Sequence, residues 1–195
     1  MKFFTSRFLQ RRFALILLCG AASFSLQALA QTQVKLSTSH GDIVLELYPD
    51  KAPKTVENFL QYVRDKHYQG TIFHRVISGF MIQGGGFSSD LTQKATRPPI
   101  ALEASNGLKN DRGSIAMART SEPHSATAQF FINVVDNANL NAPQPDGHGY
   151  AVFGKVIQGM ETVDKIRAVA VANKGPFQNV PVTAISISAA AIVKP

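Results

Sequence analysis

From Val34 to Tyr48 apolar and polar residues alternate: Val34 and Leu36, then Ile43, Leu45 and Leu47, are spaced two apart. A period of two sends successive side chains to opposite faces, so this segment predicts two strands with one buried face. Ser39-His40-Gly41-Asp42 breaks the alternation and predicts a hairpin turn near His40-Gly41. Between Pro53 and Tyr68 the period changes. Val56, Phe59, Leu60 and Val63 fall at i, i+3, i+4 and i+7, one face of a helix. Pro53 suits the first turn, where its missing N–H would have no partner anyway, and Gly70 is placed to end the segment.

Short strand-like pieces follow at Thr71–Ile77, Phe80–Gln83, Gly113–Arg119, Phe130–Val135 and Tyr150–Val156. Met160 to Val169 reads as a second helix with Val163 and Ile166 inward. Thr183 to Ala189 reads as a closing strand with Ile185 and Ile187 inward and Ser186 and Ser188 outward. Two long irregular stretches, Gly84 to Arg112 and Asp136 to Gly149, are rich in Gly, Asn, Pro and Ser; loops of that length in a compact domain usually carry function. Many short strands with two helices predict an antiparallel barrel or sandwich. A barrel with both ends plugged by helices would explain why helices are so few.

The first thirty residues change the reading of composition. Lys2, Arg7, Arg11 and Arg12 form a basic start, Phe13 to Leu26 an apolar middle, and Ala28-Leu29-Ala30 the small-residue pattern of a signal-peptidase site. A membrane-spanning helix needs roughly 20 predominantly apolar residues. This stretch is shorter and is interrupted by Gly20, Ser23, Ser25 and Gln27. Residues 1–30 therefore read as a cleaved export signal and residues 31–195 as one domain in the periplasm, without stable membrane association. Cys19 follows the bulky Leu18, which is unsuited to lipid attachment, and the Arg11-Arg12 pair does not by itself specify twin-arginine export.

The chain has 20 basic and 13 acidic residues; losing the four basic residues of the leader leaves 16 against 13, a net charge of +3. No clustered basic run remains, which argues against nucleic acid as a partner. Cys19 is the chain's one cysteine, so the exported domain must rely on its core rather than on disulfides. About 165 residues suffice for one such core.

The candidate chemistry lies in four blocks. Phe73-His-Arg-Val-Ile-Ser-Gly-Phe-Met-Ile-Gln-Gly-Gly-Gly86 puts a cation (Arg75), an amide (Gln83) and two large apolar side chains (Phe80, Met81) close together, with glycines that permit close backbone approach. Gly113-Ser-Ile-Ala-Met-Ala-Arg119 and Ser125-Ala-Thr-Ala-Gln-Phe-Phe-Ile-Asn133 are apolar strands carrying polar residues that a plain core strand would lack. Gln129 beside Phe130-Phe131 can orient a peptide while a ring takes an apolar side chain. Gly149-Tyr-Ala-Val-Phe-Gly-Lys155 is the fourth block.

In this order and at these separations, the four blocks resemble the cyclophilin-type peptidyl-prolyl cis-trans isomerases, over roughly Val34 to Ile187. Asn106-Gly-Leu-Lys-Asn-Asp-Arg-Gly113 and Ala116-Met-Ala-Arg-Thr120 resemble the exported bacterial branch. The resemblance implies a mainly β fold, a closed eight-stranded antiparallel β-barrel capped by two α-helices. It implies that Arg75 is catalytic, that Gln83 and Gln129 line a peptide groove, and that Phe80, Met81 and Phe131 form a proline pocket. His74 would sit beside the groove, Leu140 would complete the pocket wall, and the backbone at Ala118 and Arg119 would bond the substrate main chain. Tyr150 stands where eukaryotic relatives often carry His. It further implies a monomer without cofactor, acting on proline-containing segments of unfolded or folding exported proteins.

Some residues depart from that pattern. The chain has no Trp; Asn139 stands where many eukaryotic relatives carry one, and Ser78 replaces a common Pro. Weak cyclosporin binding is the expectation. His40, His67, His74, His124 and His148 are scattered without metal-ligand spacing, and no Gly-x-Ser-x-Gly elbow supports a hydrolase. Lys51, Lys54 and Lys109 read as solvated positions. A peptide-binding module without turnover would keep the apolar floor and lack the cation; the presence of Arg75 favours the enzyme.

Overall fold

The computed structural model describes residue 1 and residues 32–193; the expected leader, apart from Met1, and its expected cleavage point lie outside the described residues. The alternating start forms β1 (Gln33–Thr38) and β2 (Gly41–Leu47), with Val34, Leu36, Ile43, Leu45 and Leu47 all fully buried. Thr38 pairs with Gly41, so the turn is the two residues Ser39-His40, one position earlier than expected.

Helix α1 (Pro53–Arg64) buries Val56, Phe59, Leu60 and Val63, the face its spacing predicts, but it ends before Tyr68. Lys66 takes φ +54°, its N–H donates to Val63 O, and the N–H of His67 donates to Tyr62 O. That pair of bonds closes a helix through a left-handed residue. Lysine fills the position glycine usually holds, which is why the pattern of residues pointed further along, to Gly70. At the other end Ala52 offers no side-chain cap. The Glu103 carboxylate, from the long loop, accepts instead from Lys54 N–H (3.1 Å), Thr55 N–H (2.9 Å) and Thr55 Oγ1 (2.7 Å).

The remaining barrel strands are β3 (Thr71–Ile77), β4 (Met81–Gly84), β5 (Ser114–Met117), β6 (Phe130–Asn133), β7 (Val152–Gln158) and, last in the chain, β10 (Ser186–Val193). They close into an antiparallel barrel in the order β1-β10-β3-β4-β6-β5-β7-β2. Several ends differ from expectation because pairing, not composition, sets them. β5 and β7 stop short of Arg119 and Tyr150, leaving both residues on the rim. β10 runs on past Ala189 because β1 offers it partners as far as Val193.

Helix α2 (Met160–Arg167) buries Val163 and Ile166 at the end of the barrel where β2 begins, and α1 lies where β2 finishes. Phe59 of α1 packs on Tyr68, Phe130 and Phe153 with centroids 5.1–5.8 Å apart, a buried aromatic cluster closing that end. A hairpin of β8 (Val171–Lys174) and β9 (Phe177–Pro181) was not anticipated. All four β8 residues are exposed, so no alternation betrays the strand; Phe177 anchors the hairpin on Phe87, 5.2 Å away.

Candidate active site

On the adjoining strands β4, β6 and β5 the alternation divides the side chains between two faces. Ile82, Ile132 and Ile115 lie in register and join the barrel interior, whereas Met81, Phe131 and Ala116 belong to a separate apolar cluster with Leu140 and Val152. Phe80, Ala118 and Tyr150 pack around that outer cluster. Together they frame a cavity of about 100 Å³, lined by Arg75, Phe80, Met81, Gln83, Ala118, Arg119, Phe131, Leu140 and Tyr150.

Arg75 reaches this face through a β-bulge. Phe73 pairs with Gly84 and Arg75 with Gln83, so His74 is the extra residue in β3. A bulge re-aims the side chains on either side of it. Phe73 goes inward, edge-on to Phe130, and Arg75 comes to the cavity half-buried. Arg75 Nη1 donates to Gln83 Oε1 at 3.4 Å, and Gln83 Nε2 donates to Gln129 Oε1 at 2.9 Å. Gln129 thus adjoins Gln83, partly exposed, without lining the cavity itself. Its side chain lies across Gly86, where any Cβ would collide with it.

Two expectations need correction. His74 does not line the cavity: it is 5% exposed, its ring packs 4.6 Å from that of Phe87, and its Nδ1 has no hydrogen-bond partner among the described residues. Burial, and then the charge of Arg75, push the imidazole down to about 4, with the Ile72 backbone opposing. As the extra residue of the bulge it packs against Phe87, which in turn meets Phe177 edge-on, instead of lining the cavity. The main chain near Ala118 is also partly committed, because Ala118 N–H donates to Gln129 O at 3.0 Å.

Sequence reasoning missed what holds the cavity in shape. Asn110, Asn133 and Asn137 are buried beneath it and bond to one another. Asn137 Nδ2 donates to Phe80 O at 2.8 Å, while Asn110 Nδ2 reaches Leu140 O at 3.2 Å and Tyr150 O at 3.4 Å. The backbone of three wall residues is thereby fixed by amides, which are stiff when fully paired. An asparagine closing the apolar run Phe130-Phe131-Ile132-Asn133 was the available signal. Arg119 is the second surprise. Its side chain is only 1% exposed, and it donates to Asp146 (2.8 and 2.6 Å), Gly149 O (3.0 and 2.9 Å) and Thr120 O (2.9 Å). Hydrogen bonding from Arg119 holds the Asp146 carboxyl below its usual range.

A larger open hollow of about 350 Å³ lies beside Leu102, Glu103, His124 and His148. Glu103 there is committed to α1, and His124 Nδ1 accepts from Leu102 N–H at 3.1 Å.

Comparison with known proteins points the same way as the geometry. The family described as "Cyclophilin type peptidyl-prolyl cis-trans isomerase/CLD" matches residues 33–189. The chain is 58% identical over 179 residues to peptidyl-prolyl cis-trans isomerase A of Dickeya dadantii (strain 3937), covering 92% of this chain and 94% of that protein. It is 59% identical over 150 residues to peptidyl-prolyl cis-trans isomerase B of Escherichia coli (strain K12), covering 76% and 92% respectively. A crystal structure of a Cryptosporidium parvum cyclophilin type isomerase, solved in the presence of the dipeptide Ala-Pro, superposes with a TM-score of 0.69 at 31% identity, over 84% of this chain and 99% of that one.

Proposed function

The chain belongs to the cyclophilin-type peptidyl-prolyl cis-trans isomerases, and from that premise we propose how its groove does the work and where. The cavity takes the pyrrolidine ring, with Phe80, Met81, Phe131 and Leu140 as its walls. Arg75 acts on the imide beside it, and Gln83 and Gln129 orient the peptide main chain.

An X–Pro bond prefers trans by only about 0.5–1 kcal/mol, yet it interconverts over tens to hundreds of seconds. Amide resonance sets the barrier, about 18–20 kcal/mol. The bond twists more easily once the proline nitrogen turns pyramidal and withdraws its lone pair from the carbonyl. A fixed donor that meets this lone pair favours the twisted form over both planar ones, which is transition-state stabilisation. Lowering the barrier by roughly 7 kcal/mol corresponds to about five orders of magnitude in rate. The reaction makes and breaks no covalent bond, so a cation, an apolar socket and two amides suffice.

The observation that carries this reading is the state of Arg75. It lies half-buried at an apolar cavity, bonds to a neutral amide, and takes no carboxylate partner among the described residues. Its charge is therefore available to a substrate, and an arginine fork can hold two acceptors at once. The dipeptide in the Cryptosporidium crystals has the chemistry this cavity suits. Cis/trans exchange of a proline peptide, followed by NMR, tests the role. Arg75→Ala loses about 10²–10³-fold in kcat/KM with its circular dichroism intact, the scale expected for removing one stabilising donor. A parental rate in that variant would remove Arg75 from the mechanism.

We further propose that the enzyme works as a monomer, without cofactor, on unfolded or folding exported proteins in the periplasm. The basic start, apolar middle and Ala28-Leu29-Ala30 of the leader support that placement. N-terminal sequencing of protein recovered from the periplasm should begin at Gln31; an intact leader there would overturn it.

A further inference from the structure

Two guanidinium groups line the cavity, and they are held in opposite ways. Arg75 donates to a neutral amide, whereas Arg119 is neutralised by Asp146 and has its donors committed to Asp146, Gly149 O and Thr120 O. A buried guanidinium that is paired with a carboxylate and donates from all three nitrogens has little left to offer an imide. Its remaining contact is with Tyr150: the Arg119 guanidinium carbon lies 4.5 Å from the ring centroid, and that ring meets Phe131 edge-on at 5.6 Å. Asp146, Arg119, Tyr150 and Phe131 thus form a continuous chain that ends inside the pocket.

The segment that needs such a brace lies between Leu140 and Tyr150. It reads Asn141-Ala-Pro-Gln-Pro-Asp-Gly-His-Gly149 and runs largely exposed. The main chain of Tyr150 is secured separately, its N–H donating to Leu140 O at 3.0 Å and its carbonyl accepting from Asn110. Its ring relies on Arg119. We propose that Arg119 is a positioning residue of this site, one that never touches the imide but presses the Tyr150 ring against Phe131 and so fixes the width of the proline pocket. This rests on the reading of the cavity given above. A wall that grips the pyrrolidine ring grips it alike in cis, trans and twisted forms, and interactions of that kind appear in KM and not in kcat.

Steady-state isomerisation of an Ala-Pro-containing tetrapeptide tests this. Arg119→Gln raises KM by about tenfold with kcat near the parental value, as expected when a desolvated cation–ring contact and its charge pair are lost together. Asp146→Asn keeps the guanidinium and removes its counter-charge, and raises KM by about threefold. In a Tyr150→Leu background neither change moves KM further, because the ring they act through is gone. A purely architectural Arg119 would give a different pattern: a smaller folded fraction, hence lower apparent kcat at unchanged KM. That pattern, a parental KM in Asp146→Asn, or effects that multiply in the Tyr150→Leu background would each overturn the proposal. Should Arg119→Gln fail to fold, Asp146→Asn alone and in the Tyr150→Leu background decides the matter. Arg75→Ala run alongside separates two failures. If it turns over like the parent, the site reading falls and the positioning role with it. If it is inactive while Asp146→Asn keeps the parental KM, only the positioning role falls.

Discussion

The two faces of the sheet formed by β4, β6 and β5 use the same strands for opposite ends. On the inner face, Ile82, Ile115 and Ile132 meet in one row, are fully buried, and belong to the apolar core of the barrel. On the outer face, one position away along each strand, Met81 and Phe131 are nearly as buried, but they share their surface with Gln83, Arg75 and Tyr150. The inner face is held by packing, which is non-directional. The outer face is held by hydrogen bonds from Asn110, Asn133, Asn137 and Arg119, which fix direction. Packing makes the barrel stable, and the directed bonds give a small apolar cavity a definite shape beside a cation.

Substitutions on the two faces should therefore have crossed effects. Ile132→Ala removes a fully buried side chain from the inner row and costs about 2–5 kcal/mol of stability. Its kcat/KM per folded molecule stays close to the parent's. Arg75→Ala should do the reverse, losing about 10²–10³-fold in kcat/KM, some 3–4 kcal/mol of transition-state stabilisation, with little change in urea midpoint. Urea unfolding and peptide exchange measured on both variants make the check. If Ile132→Ala lost activity as steeply as Arg75→Ala at equal folded fraction, the two faces would not be separable.

The inner face was plain in the sequence. Period two in β1 and β2, and the i, i+3, i+4, i+7 face of α1, follow from binary patterning alone, because a core asks only for apolar groups at the right spacing. The outer face was legible through residues that break that pattern: an arginine, glutamines and large apolar groups in strands that the core had already claimed. The supports stayed hidden. Asn110 and Asp146 lie in long loops whose folded path no local pattern dictates, and their partners are 30 and 27 residues away. Lys66 ended α1 where glycine was looked for, and β8 was invisible because both of its faces meet solvent. The family resemblance implied that His74 sits beside the groove; as the extra residue of a one-residue bulge it lies off the cavity.

That bulge residue belongs to neither face, and its titration sharpens the comparison. The imidazole of His74 sits at about 4 in the folded protein against an ordinary 6.5. Between those values the unfolded chain binds a proton that the folded chain refuses, so the stability of the fold rises with pH across the window. The full contribution is present above about pH 6.5, declines as pH falls toward 4, and declines no further below it. At about 1.4 kcal/mol per pH unit of separation, lowering the pH from 7 to 5 should remove about 2 kcal/mol. Urea unfolding at the two pH values, compared with His74→Gln, isolates this share, since the variant lacks the titrating group. Because the ring lies off the cavity, kcat/KM between pH 6 and 8 should stay flat. A step in activity near 6.5 that vanished in His74→Gln would put the histidine back at the groove.

The smallest effect tests whether direction alone, without any loss of packing, matters on the outer face. Gly86 is buried, its carbonyl accepts from Lys94 N–H, and its backbone is outside the left-handed region, so alanine is sterically allowed along the chain. The new methyl meets the Gln129 side chain, which must swing away from Gln83. Losing that one hydrogen bond is worth about 1 kcal/mol, or roughly fivefold in kcat/KM. Gln129→Ala should lose the same factor by a different route. If Gly86→Ala acts only by displacing Gln129, combining the two changes costs no more than either alone. Factors that multiply instead would mean that the methyl disturbs the strand itself, and that backbone packing, not the aim of an amide, limits the outer face at this point.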